Sequence, residues 1–394
     1  MIIGIDVSSI PYGTGVSNYT LELVKNLIKI NRTNTYKLFY SSLRLPLPPE
    51  IKKLKKHSNV KIFHFKLPIT LLEILWNKLR IFPIEFFIGK CDVFHTSDWT
   101  QPPAKKAKLI TTIHDLTPFL YPQWLHQKII SIHTQKMKLA IKHCSHFICV
   151  SKNTQKDLLK LFPKINSNTT SVVYEAAAKK YSKFYKLPKK IKQRAINKIK
   201  EEYNLNSFIL AQGTREPRKN LSRLIKAFIA FSQRHPELDS GSPLQLAIAG
   251  KYGWGKDITK IQNGRHSELD SESHIKILGY IPKKDMVPLH TAATALVYPS
   301  LYEGFGLPIL KAMAIGTPVI TGNTSSLPEV AGNAAILVNP RSTNSIASAI
   351  KKITNSKTRQ SLIKKGLIQA SKFSWTKTAK QTLQIYKKVN ANRN

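Results

Sequence analysis

Apolar residues come along this chain in short runs bounded by Gly, Pro, Asn and Ser, with stretches of helical spacing between them. Runs at 2–7, 36–41, 60–65, 93–95, 109–113, 147–150 and 171–174 predict strands, and helical spacing appears at 17–30, 126–143 and 153–161. Such alternation predicts a parallel sheet covered on both faces. The pattern then restarts. Strands are expected at 208–213, 245–249, 275–279 and 294–298, helices at 220–233 and 283–291, and three more helices at 343–354, 357–371 and 374–390. The reading is an α/β chain with two sheet domains and a boundary near 176–206. A length of 394 residues agrees, because single cores stop growing beyond roughly 250 to 300 residues.

One stretch resists the alternation. Residues 67–89, LPITLLEILWNKLRIFPIEFFIG, are apolar and aromatic but broken by Pro83 and by charges. They read either as a helix and strand of the core or as a segment lying on a bilayer surface. No run reaches the ~18 uninterrupted apolar residues of a membrane span. No cleavable signal is visible at the start, and Cys91, Cys144 and Cys149 suit neither a disulfide framework nor a metal site. A cytoplasmic chain is expected, with peripheral attachment to the inner face of a membrane left open.

Charge narrows the partners without choosing one. The formal net charge is +40, and Lys179–Lys200 holds ten basic residues and no acid. Such a field attracts polyanions, whether nucleic acid, anionic lipid or phosphorylated substrates. No DNA- or RNA-binding module accompanies it, so no nucleic-acid partner is expected. A repeat, RHPELDSGS at 234–242 and RHSELDSES at 265–273, falls between elements and reads as surface insertions.

Chemistry concentrates at glycine loops. The stretch Glu303-Gly304-Phe305-Gly306-Leu307-Pro308 lies between a strand and a helix, where glycine lets the backbone approach a ligand and Pro308 suits a first turn. Unpaired amides at such a helix start favour a phosphate. A second loop, Gly213-Thr214-Arg215-Glu216-Pro217-Arg218-Lys219-Asn220, sets cations beside amides, as a pyrophosphate requires. A third, Gly13-Thr14-Gly15, precedes the helix at 17–30. His114 ends a strand, with Asp115 placed to orient it or to cap the next segment. The N-terminal loop is not GxGxxG, and no acidic ribose contact comes after it at the expected spacing, which argues against a nicotinamide enzyme.

As a set, these loops resemble glycosyltransferase family 4. The set comprises Ile113-His114-Asp115-Leu116, Gly213 through Asn220, Tyr298-Pro299-Ser300, residues 303–316, Ser325 to Val330 and Phe373-Ser374-Trp375. The resemblance implies the GT-B fold: a Rossmann-like acceptor domain at 1–178, a Rossmann-like nucleotide-sugar domain at 179–372 facing it across a cleft, and a helix at 373–394 returning to the first. It also implies a retaining, metal-independent transfer of a hexose without cofactor, mannose from GDP-mannose first, to a glycan or lipid-linked acceptor. Surface polysaccharide or lipopolysaccharide synthesis would be the setting.

Carried over residue by residue, the resemblance implies that Arg218 and Lys219 hold the donor diphosphate, with Arg215 or the Gly213 turn helping. Glu303 and the amides of Phe305, Gly306 and Leu307 would contact sugar and phosphate, His114 would lie by the transferred sugar, and Gly13 to Gly15 would close the donor site. The family's second Glu, eight residues after the first, is Lys311 here, and its usual N-terminal arginine is Asn18. A lysine only donates hydrogen bonds. A weakened, glycosyltransferase-like partner subunit is therefore the alternative, with a basic nucleic-acid binder as the rival from another class.

Overall fold

The computed structural model describes residues 1–96, 98–235, 243–253 and 274–391. The repeat predicted at 234–242 and 265–273 lies almost wholly outside them. The chain divides into two compact units, one of residues 1–175 with 374–394, the other of residues 176–373.

In the N-terminal unit, β1 (Ile2–Asp6), β2 (Thr35–Ser41), β3 (Val60–Phe65), β4 (Val93–Thr96), β5 (Lys108–Ile113), β6 (Cys144–Cys149) and β7 (Thr170–Val172) form one sheet of order 3-2-1-4-5-6-7. Every pairing is parallel, as Ile3 against both Tyr36 and Val93 illustrates. The near-continuous burial of β4 and β5 fits a sheet covered on both faces. The order reverses direction between β1 and β4, and there the loops at the carboxyl ends diverge and leave a crevice.

The C-terminal unit repeats the plan. β8 (Ser207–Gln212), β9 (Leu244–Ala249), β10 (Ile275–Gly279), β11 (Ala295–Tyr298), β12 (Val319–Gly322) and β13 (Ile336–Val338) lie in the order 10-9-8-11-12-13, again all parallel. Its switch point falls between β8 and β11. Ile209, Leu246, Val297, Phe228 and Ile350 belong to the core that fixes this sheet against its helices.

Three features depart from the sequence reading. The basic boundary region is two helices of the C-terminal unit, Lys179–Tyr185 and Lys189–Glu202, with Tyr181 and Ile199 buried. Their lysines snorkel, so a charged sequence still carries an apolar seam. Strand β13 was not expected, being only three residues long. The 67–89 stretch is built of short helical segments and holds no strand: Leu72, Trp76, Ile84 and Ile88 pack with Phe39 and Phe94, while other residues of the same segment stay exposed. Lastly, the helix Trp375–Ala391 buries Tyr386 and Thr382, and Thr378 Oγ1 donates to the Tyr174 carbonyl at 2.7 Å, which fastens it to the N-terminal unit.

Candidate functional site

At the switch point of the C-terminal unit, the loops after β8 and β11 meet through charge. Gly213 turns the chain at φ +135°, and a Cβ there would lie 3.2 Å from Lys219 Cε, so a side chain at 213 would crowd the lysine. Asn220 takes a left-handed conformation and donates to the Pro299 carbonyl at 3.1 Å, while the Leu301 amide donates to the Arg218 carbonyl at 2.8 Å. The two loops are thereby stitched together before any side-chain ion pair forms.

Glu303 is the hub. Its Oε2 accepts from Arg218 Nη1 at 2.7 Å, and its Oε1 accepts from Lys219 Nζ at 2.5 Å and from the Tyr298 hydroxyl at 2.8 Å. Arg218 Nε is paired in turn with Glu216 at 2.6 Å. Burial alone would raise the Glu303 carboxyl, but Arg218 and Lys219, with hydrogen bonds from Lys219 and Tyr298, bring it down to about 2. On Lys219, burial and Arg218 push the ammonium below its ordinary value while Glu303 pulls it up. The short contacts to an ionised carboxylate favour the charged pair.

The loop at 303–306 is held from below. The Glu303 amide donates to Ser325 Oγ at 3.0 Å, and Ser326 Oγ donates to the Glu303 and Phe305 carbonyls at 2.9 and 2.8 Å. Of the two glycines, Gly306 takes the left-handed backbone, φ +105°, and caps the helix Leu307–Ala314, with Pro308 in its first turn.

Two sequence candidates occupy other surroundings. Arg215 is buried at 2 % exposure, its guanidinium 3.9 Å over the Tyr252 ring, and its Nε has no hydrogen-bond partner among the described residues. It is not part of the Glu303 hub. Lys311 lies along the helix from Gly306, its Nζ 5.9 Å from the Tyr181 ring centroid. Burial, then Lys311 and Lys180, lowers His290 to about 3, so this imidazole stays neutral and its ring is bonded to Gln212 Oε1.

The N-terminal unit furnishes its own switch point differently. Gly13 turns at φ +70°, Thr14 and Ser17 cap the helix Gly15–Ile30 reciprocally, and Asn18 donates to the Thr14 carbonyl at 2.9 Å. Asp115 accepts the Thr117 amide at 2.9 Å, an Asx turn ahead of the short helix Thr117–Leu120. His114 Nδ1 stands 3.8 Å from Glu175, with Tyr19 edge-on at 4.7 Å. Beneath it, His95 bridges Tyr386 at 2.6 Å and Thr112 at 2.8 Å; burial, then His114 and Lys136, lowers it to about 3. Beside these groups opens an apolar cleft of about 520 Å³, walled by Tyr12, Val16, Ile69, Trp99, Ile129 and Ile132, with Glu73, Asp98 and Lys128 at its polar points.

Sequence reasoning missed Tyr298 and Glu216 as members of the charged hub, and Asp98 and Trp99 in the cleft. Tyr298 lay within the Tyr298-Pro299-Ser300 motif, but its hydroxyl contacts could not be read from spacing. Among the described residues, no group of three His, Cys, Asp or Glu stands where it could hold a metal ion, and no helix is long and apolar enough to cross a membrane.

Two doubly wound sheets of this order, with a cationic glycine loop at one switch point, define a two-domain Rossmann-like protein of the GT-B type. The chain belongs to the glycosyl transferases: the group 1 family matches residues 189–369 and Glycosyltransferase Family 4 matches residues 13–176. It is 28% identical to O-antigen chain mannosyltransferase B of Escherichia coli over 95% of this chain and 96% of that one. It is 30% identical to O-antigen chain mannosyltransferase RfbU of Salmonella typhimurium, covering 71% of this chain and 68% of that one. The fold is also that of Anabaena HepE in complex with UDP-glucose, with a TM-score of 0.69 at 18% identity over 97% of this chain and 98% of that one.

Proposed function

We propose that this glycosyltransferase moves a hexose, mannose from GDP-mannose first, to a glycan or lipid-linked acceptor in the assembly of a surface polysaccharide, with retention and without a metal ion. The observation that carries the reading is the Arg218–Lys219–Glu303 hub at the β8/β11 switch point. The names of the relatives, O-antigen mannosyltransferases, favour mannose and a polysaccharide acceptor.

Chemically, the anomeric C–O bond to the diphosphate breaks while a bond to the acceptor oxygen forms. The leaving diphosphate gains negative charge, and fixed cations preorganised beside it stabilise that charge without reorganising. Arg218 supplies a planar fork and Lys219 a point charge. The departing phosphate oxygen takes the acceptor proton, so no protein nucleophile is required. Glu303, ionised at every physiological pH, accepts hydrogen bonds from sugar hydroxyls and keeps both cations aimed at the site. Phe305, Gly306 and Leu307 offer backbone amides to sugar or phosphate. His114 is the N-terminal unit's candidate for sugar contact, and the aromatic and carboxylate mixture of the cleft there suits a sugar face with its hydroxyl edge.

A donor screen tests the reading: GDP-mannose, GDP-fucose, UDP-glucose and UDP-galactose with labelled sugar, with and without EDTA, and Glu303→Ala as control. Transfer or slow hydrolysis of one donor, unaffected by EDTA and lost in Glu303→Ala, is expected. No turnover of any donor despite binding would favour the partner-subunit alternative that Lys311 raises.

A further inference from the structure

We propose that Tyr386, on the helix Trp375–Ala391, is a positioning residue for His114, acting through His95, Thr112 and Tyr19. The links form one chain: the Tyr386 hydroxyl meets His95 Nδ1 at 2.6 Å, His95 Nε2 meets Thr112 Oγ1 at 2.8 Å, and Thr112 Oγ1 meets the Tyr19 hydroxyl at 3.1 Å. All four side chains are buried. The Tyr19 ring then stands edge-on to the His114 ring, centroids 4.7 Å apart. Thr112 lies on β5 and His114 two residues further on, so both side chains leave the same face of the extended chain. The bearing on transfer rests on the reading above, in which His114 contacts the sugar.

The order of donors and acceptors gives the chain a direction. Burial keeps the His95 ring neutral, so one of its nitrogens donates and the other accepts. With the Tyr386 phenol donating to Nδ1, the ring proton stays on Nε2 and goes to Thr112 Oγ1. The Thr112 hydroxyl proton is then left for the Tyr19 oxygen. Removing the Tyr386 hydroxyl strips Nδ1 of this donor, and nothing in the chain then holds His95 in that tautomer. A helix held by packing alone would do as well with Phe at 386, which fills nearly the same volume. What the hydroxyl adds is a specified arrangement of polar groups in a low-dielectric interior.

The same helix also holds the other side of His114. Thr378 Oγ1 donates to the carbonyl of Tyr174, the residue before Glu175, whose carboxylate lies 3.8 Å from His114 Nδ1. Trp375, at the start of the helix, packs edge-on against Tyr19 with centroids 5.8 Å apart. His114 therefore stands between an aromatic ring and a carboxylate that one helix keeps in place. Little slack is left between them. The cavity lined by Tyr19, His95, Thr112 and His114 measures about 20 Å³, room for about one water, so a Tyr19 ring that leaves its place presses on the imidazole.

The test compares the full chain as wild type, Tyr386→Phe, Thr112→Val, Thr112→Ser and Lys387→Ala, an exposed control on the same helix. Thermal melts verify folding, proton–nitrogen correlation spectra follow the His114 ring, and steady-state kinetics with GDP-mannose, or whichever donor of the screen above is turned over, give kcat and KM. Tyr386→Phe and Thr112→Val are expected to move the His114 signals and to lower kcat about tenfold, with the donor KM changed by less than about twofold. Thr112→Ser, which keeps the hydroxyl, and Lys387→Ala are expected to keep the wild-type spectra and rates. Unmoved His114 signals in Tyr386→Phe overturn the proposal. So does a loss in Thr112→Ser equal to that in Thr112→Val, because the hydroxyl is then not the link. Displaced signals with an unchanged kcat uphold the positioning and overturn instead the reading of His114 as a sugar contact. If the wild type turns over no donor, the functional reading fails and the spectra alone decide the positioning.

Discussion

The two units share a strand plan, 3-2-1-4-5-6 with one strand added in the first, yet furnish the same topological position with opposite chemistry. In the C-terminal unit, the loops at the switch point converge on a carboxylate clamped by two cations and a tyrosine. In the N-terminal unit, the neutral imidazole of His95, hydroxyls and an aromatic-walled cleft stand there. The fold fixes where a ligand can sit, and the loops fix which ligand. On the function proposed above, a doubly charged diphosphate would go with the first arrangement and a sugar with the second.

The largest expected effect comes from removing the hub. Glu303→Ala leaves buried Lys219 without its counter-charge, while half-buried Arg218 keeps Glu216, so about 3–5 kcal/mol of stability is lost, and transfer falls by at least about a thousandfold. Calorimetric melting and a transfer assay measure the two. In the other unit, Glu175→Ala removes only a 3.8 Å contact with His114, and the cost is about 1 kcal/mol. Equal losses from the two substitutions would erase the contrast.

Acidification acts on buried groups of both units in the same direction but over different windows. Glu303 has a depressed folded value, so its contribution is present above about pH 4.5 and lost as pH falls toward about 2. His95 also titrates lower when folded, so the stability it confers by staying neutral is complete above about pH 6.5 and lost on the way down to about 3. His290 behaves alike in the C-terminal unit. Between pH 6 and 4.5 each buried imidazole removes about 1.4 kcal/mol per pH unit, and His95→Gln flattens the slope of melting against pH by one such step. An unchanged slope would mean that His95 is not neutral in the fold.

The smallest effect is expected at Lys311. Lys311→Glu removes a cation that helps depress His290, so the imidazole rises toward its ordinary value, and donor affinity stays or improves by no more than about threefold. NMR titration of the imidazole and calorimetric donor binding check both halves. A clear loss of donor binding would make Lys311 a working part of the site.

Much of this was legible in the chain. The strand–loop–helix units at 213–220 and 303–316 stood out because glycine, proline and charge mark them locally, and the structure joins them at a single carboxylate. Pairing across sequence distance remained hidden. Tyr298 and Glu216 enter the hub through side-chain geometry that no spacing encodes, and so does the stacking of Arg215 on Tyr252. In residues 67–89, core and surface side chains succeed one another without a regular period, because a π-helical segment and a left-handed turn interrupt the helix. Composition could not separate the two faces there. Likewise, the basic boundary hid two helices whose buried seam rests on a few residues.

The most direct test of the account is isothermal calorimetry of GDP-mannose, GDP and UDP-glucose against the wild type and Arg218→Ala. The account predicts binding of at least one nucleotide sugar in the presence of EDTA, weakened by at least about tenfold in Arg218→Ala through loss of a charge-assisted contact to the diphosphate. Binding of equal strength in the variant, or none of these ligands bound by a folded wild type, would contradict it.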